Sequence, residues 1–366
     1  MTGAPKAPSG ALAHLISEAV RPLVSYGAPE PTAGIKLDAN ESPWPVSAQT
    51  KERLKTLLGQ TDFHRYPDPE QRDLKQALVS VHGGAAADYI VGSGSDEVIA
   101  LLASALSAPR GGRRHAAVLY PAPTFVMFEM TSRVHGLEPV AVPLDAEWQL
   151  DVPAMLKAIG VNQPNLVFLA TPNNPTGNRF QSAALRTLIE ADPAALFVID
   201  EAYAAYSGQS QRALADAYPN VAMMGTISKI GFAAARVGWA RLPAGLAAEV
   251  NKARQPYNLN GLSAAVACAV LGPLKAEVEA QVASVIAERS RLAAALAALG
   301  VRVFPSDANF LLTKPTDGAA LTRALAARAI SVKSYSAGPL ASHVRITVGT
   351  PAENDALLAA LKGAGA

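Results

Sequence analysis

Apolar runs of three to six residues recur through the first two thirds of the chain. Each is closed by small, polar or proline residues and followed by a stretch with helical spacing. Tyr89-Ile90-Val91, Ala116 to Tyr120, Val140 to Val142, Asn165 to Ala170, Leu196 to Ile199, Val221 to Gly225 and Val237 to Ala240 read as strands. Val98 to Leu106 and Ser182 to Ile189 read as helices between them. Continuous apolar strands alternating with helices predict a mostly parallel sheet covered on both faces. Before this region, Ala48 to Leu58 and Leu74 to Val81 carry helical spacing. The proline-bearing segments 36–45 and 63–69 cannot be helix and read as extended chain and turn. After Gln255-Pro256-Tyr257-Asn258 the pattern shifts to two Ala-rich helices over 261–299. Strands at 301–304, 309–313 and 343–348 follow, with helices at 319–329 and 352–362: an α+β unit of about a hundred residues. The expected division is an arm over residues 1–36 with one short helix from Ala11 to Val20, a large domain over 37–257 and a small domain over 258–366.

With 366 residues, half of them apolar, the chain can bury a large core. A net charge of +2 with mixed signs argues against a nucleic-acid or anionic-membrane surface. No apolar stretch reaches the uninterrupted length of a membrane span, and no signal-peptide core is present, so a cytoplasmic protein is expected. Cys268, the single cysteine, sits in an Ala/Val run and excludes an intrachain disulfide. The six histidines are scattered without ligand spacing, so no metal is expected.

Candidate chemistry gathers where the predicted strands end, the edge at which open α/β sheets bind ligands. Val221 to Gly225 leads into Thr226-Ile227-Ser228-Lys229, with Arg236 seven residues beyond. A lysine among apolar neighbours is more readily deprotonated, and a neutral amine can form a Schiff base with an aldehyde. A solvated loop end is the bland alternative. Asp200 closes a strand of four apolar residues, where a carboxylate calls for a cationic partner. Tyr203, three residues on, shares its direction if the chain turns helically, although a strand-end acid and a core tyrosine would look the same. Gly92 to Glu97 opens a helix whose first amides, at Ser95 and Asp96, could hold an anion or simply be capped. Thr171 to Gly177 fixes Asn174 in a proline turn. Phe125 could lie on a ring or in the core, Arg236 could pair with phosphate, and Arg345 is either a solvated strand charge or an anion clamp.

Taken together and in this order, these pieces resemble the fold-type I pyridoxal-phosphate aminotransferases, and within them the histidinol-phosphate aminotransferase branch. The resemblance runs from Leu37 to about Thr350. It is carried by Leu37 to Pro43, Arg65-Tyr66-Pro67-Asp68, Gly94 to Glu97, Thr171 to Gly177, Asp200-Glu201-Ala202-Tyr203, Ser228-Lys229 with Arg236, and Val344 to Thr350. It implies a large domain built on a mostly parallel seven-stranded sheet between helices, beside a smaller α+β domain. It implies pyridoxal 5'-phosphate on Lys229, Asp200 at the ring nitrogen, and Tyr203 and Asn174 at the ring oxygen. Phe125 would lie on the ring face, a position usually held by tyrosine. The backbone of Ser95 and Asp96, with Ser228 and Arg236, would hold the phosphate. Tyr66 would reach the phosphate of a neighbouring subunit, which implies a homodimer. Arg345, Asn40, Lys333 and Tyr26 would meet the substrates, an amino donor and a 2-oxo acid.

Two departures stand out. Ala233-Ala234-Ala235 replaces a glycine-bearing loop, which requires right-handed backbone there. Lys333 stands where an additional phosphate-binding arginine is expected, a point charge in place of a planar fork. The resemblance implies transamination of histidinol phosphate with 2-oxoglutarate, in histidine biosynthesis. Its rivals are an aromatic amino acid aminotransferase, a decarboxylase of a phosphorylated amino acid, and a non-catalytic cofactor-binding regulator.

Overall fold

The computed structural model describes residues 13–23 and 34–362. Its first strand, β1 (Ile35–Leu37), is followed by the helices Ala48–Gly59 and Arg72–His82. Then come β2 (Tyr89–Ser93), β3 (Ala117–Ala122), β4 (Glu138–Pro143), β5 (Leu166–Ala170), β6 (Leu196–Asp200), β7 (Val221–Thr226) and β8 (Val237–Arg241). These seven, β2 to β8, form one sheet in the order β2-β8-β7-β6-β5-β3-β4. Every neighbouring pair in it is parallel except the two made by β8, which runs against β2 and β7.

Alternation along the central strands divides their side chains between two cores. Val198 joins Val98, Leu102 and Phe128 on one face, while Phe197 and Ile199 join Met155, Leu185 and Leu188 on the other. A strand buried on both faces must be apolar throughout, which is why β5 and β6 read as unbroken runs.

A second sheet has the order β1-β11-β12-β10-β9, with β9 (Arg302–Val303), β10 (Phe310–Lys314), β11 (Ile330–Ser334) and β12 (Val344–Thr347). β1 lies parallel to β11, pairing Ile35 with Ile330 and Leu37 with Val332. Leu37 is 1% exposed and packs with Leu292, Ile346 and Leu357 in this sheet's core. The helix Gly261–Leu271 instead shares a core with Val237 and Trp239, and the long helix Lys275–Ala298 bridges to the second sheet.

Of the helix expected over 11–20, the described part is a single 3-10 turn at Ala13–Leu15. Four helices that hydrophobic spacing alone did not reveal are present: Met127–Val134, Val152–Asn162, Arg212–Ala217 and Leu246–Asn251. Among the described residues no single helix is long and apolar enough to cross a membrane. One pair, Gly261–Leu271 with Lys275–Ala298, meets the length and composition test only across a 74° bend.

Candidate active site

The carboxyl ends of β3, β5, β6 and β7 lie at one sheet edge because these strands are parallel. The turns that follow them enclose a cavity against the second sheet. Lys229, Asp200, Tyr203, Asn174, Phe125, Ser95, Asp96, Ser228, Arg236, Asn40 and Arg345, gathered from across the chain, all line it.

Asp200 is the last residue of β6, level with Ala170 and Met224 on its neighbours, and is 4% exposed. Burial pushes its carboxyl up to about 7. The Ala202 amide, which donates to Oδ1 at 3.0 Å, and the charge of Lys229 pull the other way, while Asp96 and Glu201 add to the rise. A carboxyl in this condition is waiting for a cation. Lys229 lies in a short 3-10 turn, Ser228–Ile230, after β7. Its Nζ is 6.0 Å from the centre of the Tyr203 ring, and its carbonyl accepts from the Tyr206 hydroxyl at 2.6 Å.

Tyr203 is 5% exposed, sits edge-on to Phe310, and accepts at its hydroxyl from Asn40 Nδ2 at 3.0 Å. The two adjacent asparagines divide their work. Asn173 is fully buried and ties three points of the surrounding turns, Thr124 Oγ1, the Pro123 carbonyl and Thr176 Oγ1. Asn174 faces the cavity, its Oδ1 held by Arg345 Nη1 at 2.6 Å, which leaves its amide hydrogens for a ligand. Arg345 Nη2 donates to the Asp38 carbonyl at 2.6 Å, and its buried Nε has no partner among the described residues.

At the other end of the cavity, the helix Ser95–Ala105 presents its first amides beside Ser228 and Arg236. Arg236 Nη2 reaches Asp96 Oδ2 at 3.3 Å. Two glycines make this close approach possible. A Cβ at Gly94 would stand 2.5 Å from Arg236 Nη2, and one at Gly238 would stand 2.2 Å from the Ser95 amide nitrogen. The Ala233–Ala235 segment is a right-handed 3-10 turn, as alanines require. The left-handed residues fall on either side of it, at Gly231 (φ +101°) and on Arg236 itself (φ +53°). Thr226, within the stretch singled out from the sequence but given no role there, also lines this end. Its Oγ1 accepts from the Ser228 amide at 3.0 Å and donates to the Val237 carbonyl at 2.7 Å. Tyr206, which steadies the lysine backbone, was likewise unassigned, although it repeats the three-residue spacing from Asp200 to Tyr203.

Three candidates lie elsewhere. Tyr66 is 80% exposed and stacks on Tyr257 at 4.4 Å, outside the cavity of its own chain. Lys333 is half-buried on β11, directly across from Arg345 on β12, but does not line the cavity. Tyr26 falls outside the described residues. Among the described residues no group of three or more His, Cys, Asp or Glu side chains is arranged to hold a metal ion.

The sequence profile of the aminotransferases of class I and II matches residues 32–361. Histidinol-phosphate aminotransferase 1 of Burkholderia lata is 41% identical over 352 residues, covering 95% of this chain and 97% of the relative. The histidinol-phosphate aminotransferase of Chromobacterium violaceum is 40% identical over 355 residues, covering 95% and 98%. Among solved structures, the histidinol-phosphate aminotransferase of Sinorhizobium meliloti in complex with pyridoxal-5'-phosphate superposes with a TM-score of 0.82 at 25% identity, covering 96% of this chain and 97% of that one. The chain belongs to the class I and II aminotransferases, which are pyridoxal-phosphate enzymes of fold-type I.

The cavity fits that cofactor on its own chemistry. It offers an amine for an aldehyde, a desolvated carboxyl for a pyridinium, and, for a phosphate, a helix N-terminus beside a guanidinium, kept open by glycines that a Cβ would close.

Proposed function

We propose that this aminotransferase exchanges the amino group between histidinol phosphate and 2-oxoglutarate. The observation that carries the reading is the convergence of Lys229, the buried Asp200 and Arg345 on one cavity, in a chain about 40% identical to named relatives over nearly its whole length. When bound, pyridoxal phosphate supplies an electrophilic carbonyl and an electron-accepting ring.

In this reading Lys229 would hold the cofactor covalently and, once released by the incoming amino group, its amine would take the proton from substrate Cα. Asp200 keeps the ring nitrogen protonated, and Tyr203 and Asn174 orient the ring oxygen. Phe125 lies against the ring, keeping the face of a tyrosine without its hydroxyl. The Ser95 and Asp96 amides, Ser228 and Arg236 bind the phosphate, joined by the partner's Tyr66 in a homodimer. The 80% exposure of Tyr66 and 69% of Phe63 supports such an interface. Arg345 uses two of its hydrogens within the protein and has others left to bind the glutamate carboxylate and the phosphate of the second substrate in turn. Lys333, across the strand pair from it, adds positive charge for the phosphate, and Tyr26 of the arm completes that end. A division between residues 37–257, which carry the cofactor, and 258–366, which carry the far end of the substrate, fits this reading, although Leu37 packs in the core of the second sheet and the helix Gly261–Leu271 packs against the first. The cytoplasm is the compartment this reading expects.

Purified protein loaded with pyridoxal phosphate should show a visible absorption band that glutamate bleaches and 2-oxoglutarate restores. A protein that stays colourless with the cofactor present overturns the proposal. Rates on histidinol phosphate against phenylalanine, with carbon dioxide release followed in parallel, separate it from the aromatic and decarboxylase alternatives. Lys333→Arg should raise kcat/KM for histidinol phosphate by about fivefold, since a fork replaces a point charge, and leave phenylalanine unaffected. An unchanged rate on the phosphorylated substrate would remove Lys333 from the phosphate end.

A further inference from the structure

By family resemblance Asn40 is expected to touch substrate, but its hydrogen bonds are directed elsewhere. It is 1% exposed and left-handed, at φ +55°, a conformation asparagine tolerates better than most residues. Its amide nitrogen donates to Thr347 Oγ1 at 3.0 Å, and its carbonyl accepts from Asn309 Nδ2 at 3.0 Å. The side-chain Oδ1 accepts from Thr347 Oγ1 at 3.2 Å, and Nδ2 donates to the Tyr203 hydroxyl oxygen at 3.0 Å. Because Thr347 Oγ1 accepts from the backbone amide, its own hydrogen goes to Asn40 Oδ1. That fixes the side-chain amide with its NH2 toward Tyr203. Both side-chain polar atoms of Asn40 are thus engaged within the protein, and one Nδ2 hydrogen remains. Thr347 lies on β12 and Asn309 just before β10, both in the small sheet, whereas Tyr203 follows β6 of the large one. The four residues form a buried polar chain from one sheet to the other.

We propose that Asn40 is a positioning residue. It donates to the Tyr203 oxygen, so the phenol's own hydrogen turns into the cavity, and through Thr347 and Asn309 it ties that orientation to the seating of the small sheet. The inference rests on the reading of Tyr203 as a residue that holds the cofactor's ring oxygen. Asn40→Asp keeps the volume but replaces the donor with an acceptor, which draws the phenol hydrogen out of the cavity. Asn40→Ala removes the partner altogether.

The test is a spectral pH titration of the protein loaded with pyridoxal phosphate, without turnover, on wild type, Asn40→Asp, Asn40→Ala, Tyr203→Phe and the Asn40→Ala/Tyr203→Phe pair. Both Asn40 variants should move the midpoint of the visible band in the same direction as Tyr203→Phe, by about one pH unit. In the Tyr203→Phe background, Asn40→Ala should move it no further. If Asn40→Ala does not fold, the volume-matched Asn40→Asp carries the test. An unmoved midpoint with a raised KM for the amino donor would mean direct substrate contact, and an unmoved midpoint with only a lowered Tm would mean a purely structural role. Either overturns this inference alone, as does an equal shift in both backgrounds. A wild-type protein with no visible band overturns the reading of the site, and this inference with it.

Discussion

Lys229→Ala is expected to abolish turnover, by about 10⁴-fold or more, because in the proposed mechanism one amine serves both as covalent anchor and as proton carrier. The fold should survive, since the local bond that steadies this turn is made by the Lys229 carbonyl, which accepts from Tyr206, and not by the side chain. Visible absorption of the loaded protein should change with the loss of the amine. Added methylamine should restore part of the rate by supplying a base to the space the side chain vacates. Single-turnover assays with and without methylamine measure both effects. A variant within tenfold of wild type would leave the proton transfer to another group and remove the central assignment.

Asp200→Asn should be the next most damaging change. The carboxyl is buried at the end of β6, and burial holds it up to about 7 even against the charge of Lys229. Removing one partner of a buried charge pair costs about 3–5 kcal/mol, which, if lost in full from the transition state, corresponds to roughly 10² to 5 × 10³-fold in kcat. The same residue predicts a pH signature in the cofactor-free protein. Its folded-state value lies above the ordinary 3.8, so the folded chain holds the proton more tightly than the unfolded chain. The stability this contributes is complete below about 4 and is lost as pH rises through about 7. Thermal unfolding of the cofactor-free protein should therefore show Tm falling over that window. Asp200→Asn should lack this component, and bound cofactor should flatten it by providing the missing positive charge. A wild-type profile identical to that of Asp200→Asn would contradict this account of the site.

The parts of this architecture legible in the sequence are those where one local demand dominates. β5, β6 and β7 are buried on both faces, so they run apolar up to their carboxyl ends, and the residues that break the runs, Thr171, Asp200 and Thr226, mark the functional edge. The helix Val152–Asn162 carried a readable start, Asp151 capping Ala154 with Pro153 in the first turn, but its weak amphipathy hid it. Met127–Val134 is amphipathic, but it is only eight residues long, has no capping side chain and follows a proline-bearing turn, so its start is hidden. β1 is three residues long, too short to show a period, and its pairing depends on β11 at the other end of the chain.

For the site the same division holds. Asp200, Lys229 and Arg236 were visible because charge at the end of an apolar run is conspicuous. The separate tasks of Asn173 and Asn174 were not, because Asn173 finds its partners only once β3 and β5 lie side by side, and Asn174 finds Arg345 only once β12 faces that edge. Asn40 illustrates the limit most directly. Its partners Tyr203, Asn309 and Thr347 come from three distant segments, and no spacing rule links them.

The pairing of β1 with β11 also bears on how the protein is made. A ribosome adding about 5–20 residues per second completes Ile35 many seconds before Ile330 emerges. Every strand of the seven-stranded sheet is available well before then, so that layer can close while the N-terminal strand still has no partner. Leu37 lacks its strand partner Val332, and the Asn40 side chain lacks Thr347, until the last quarter of the chain has been synthesised. A nascent polypeptide can thus shape its cofactor cleft early, yet it acquires the polar chain that aligns Tyr203 only when translation is nearly finished.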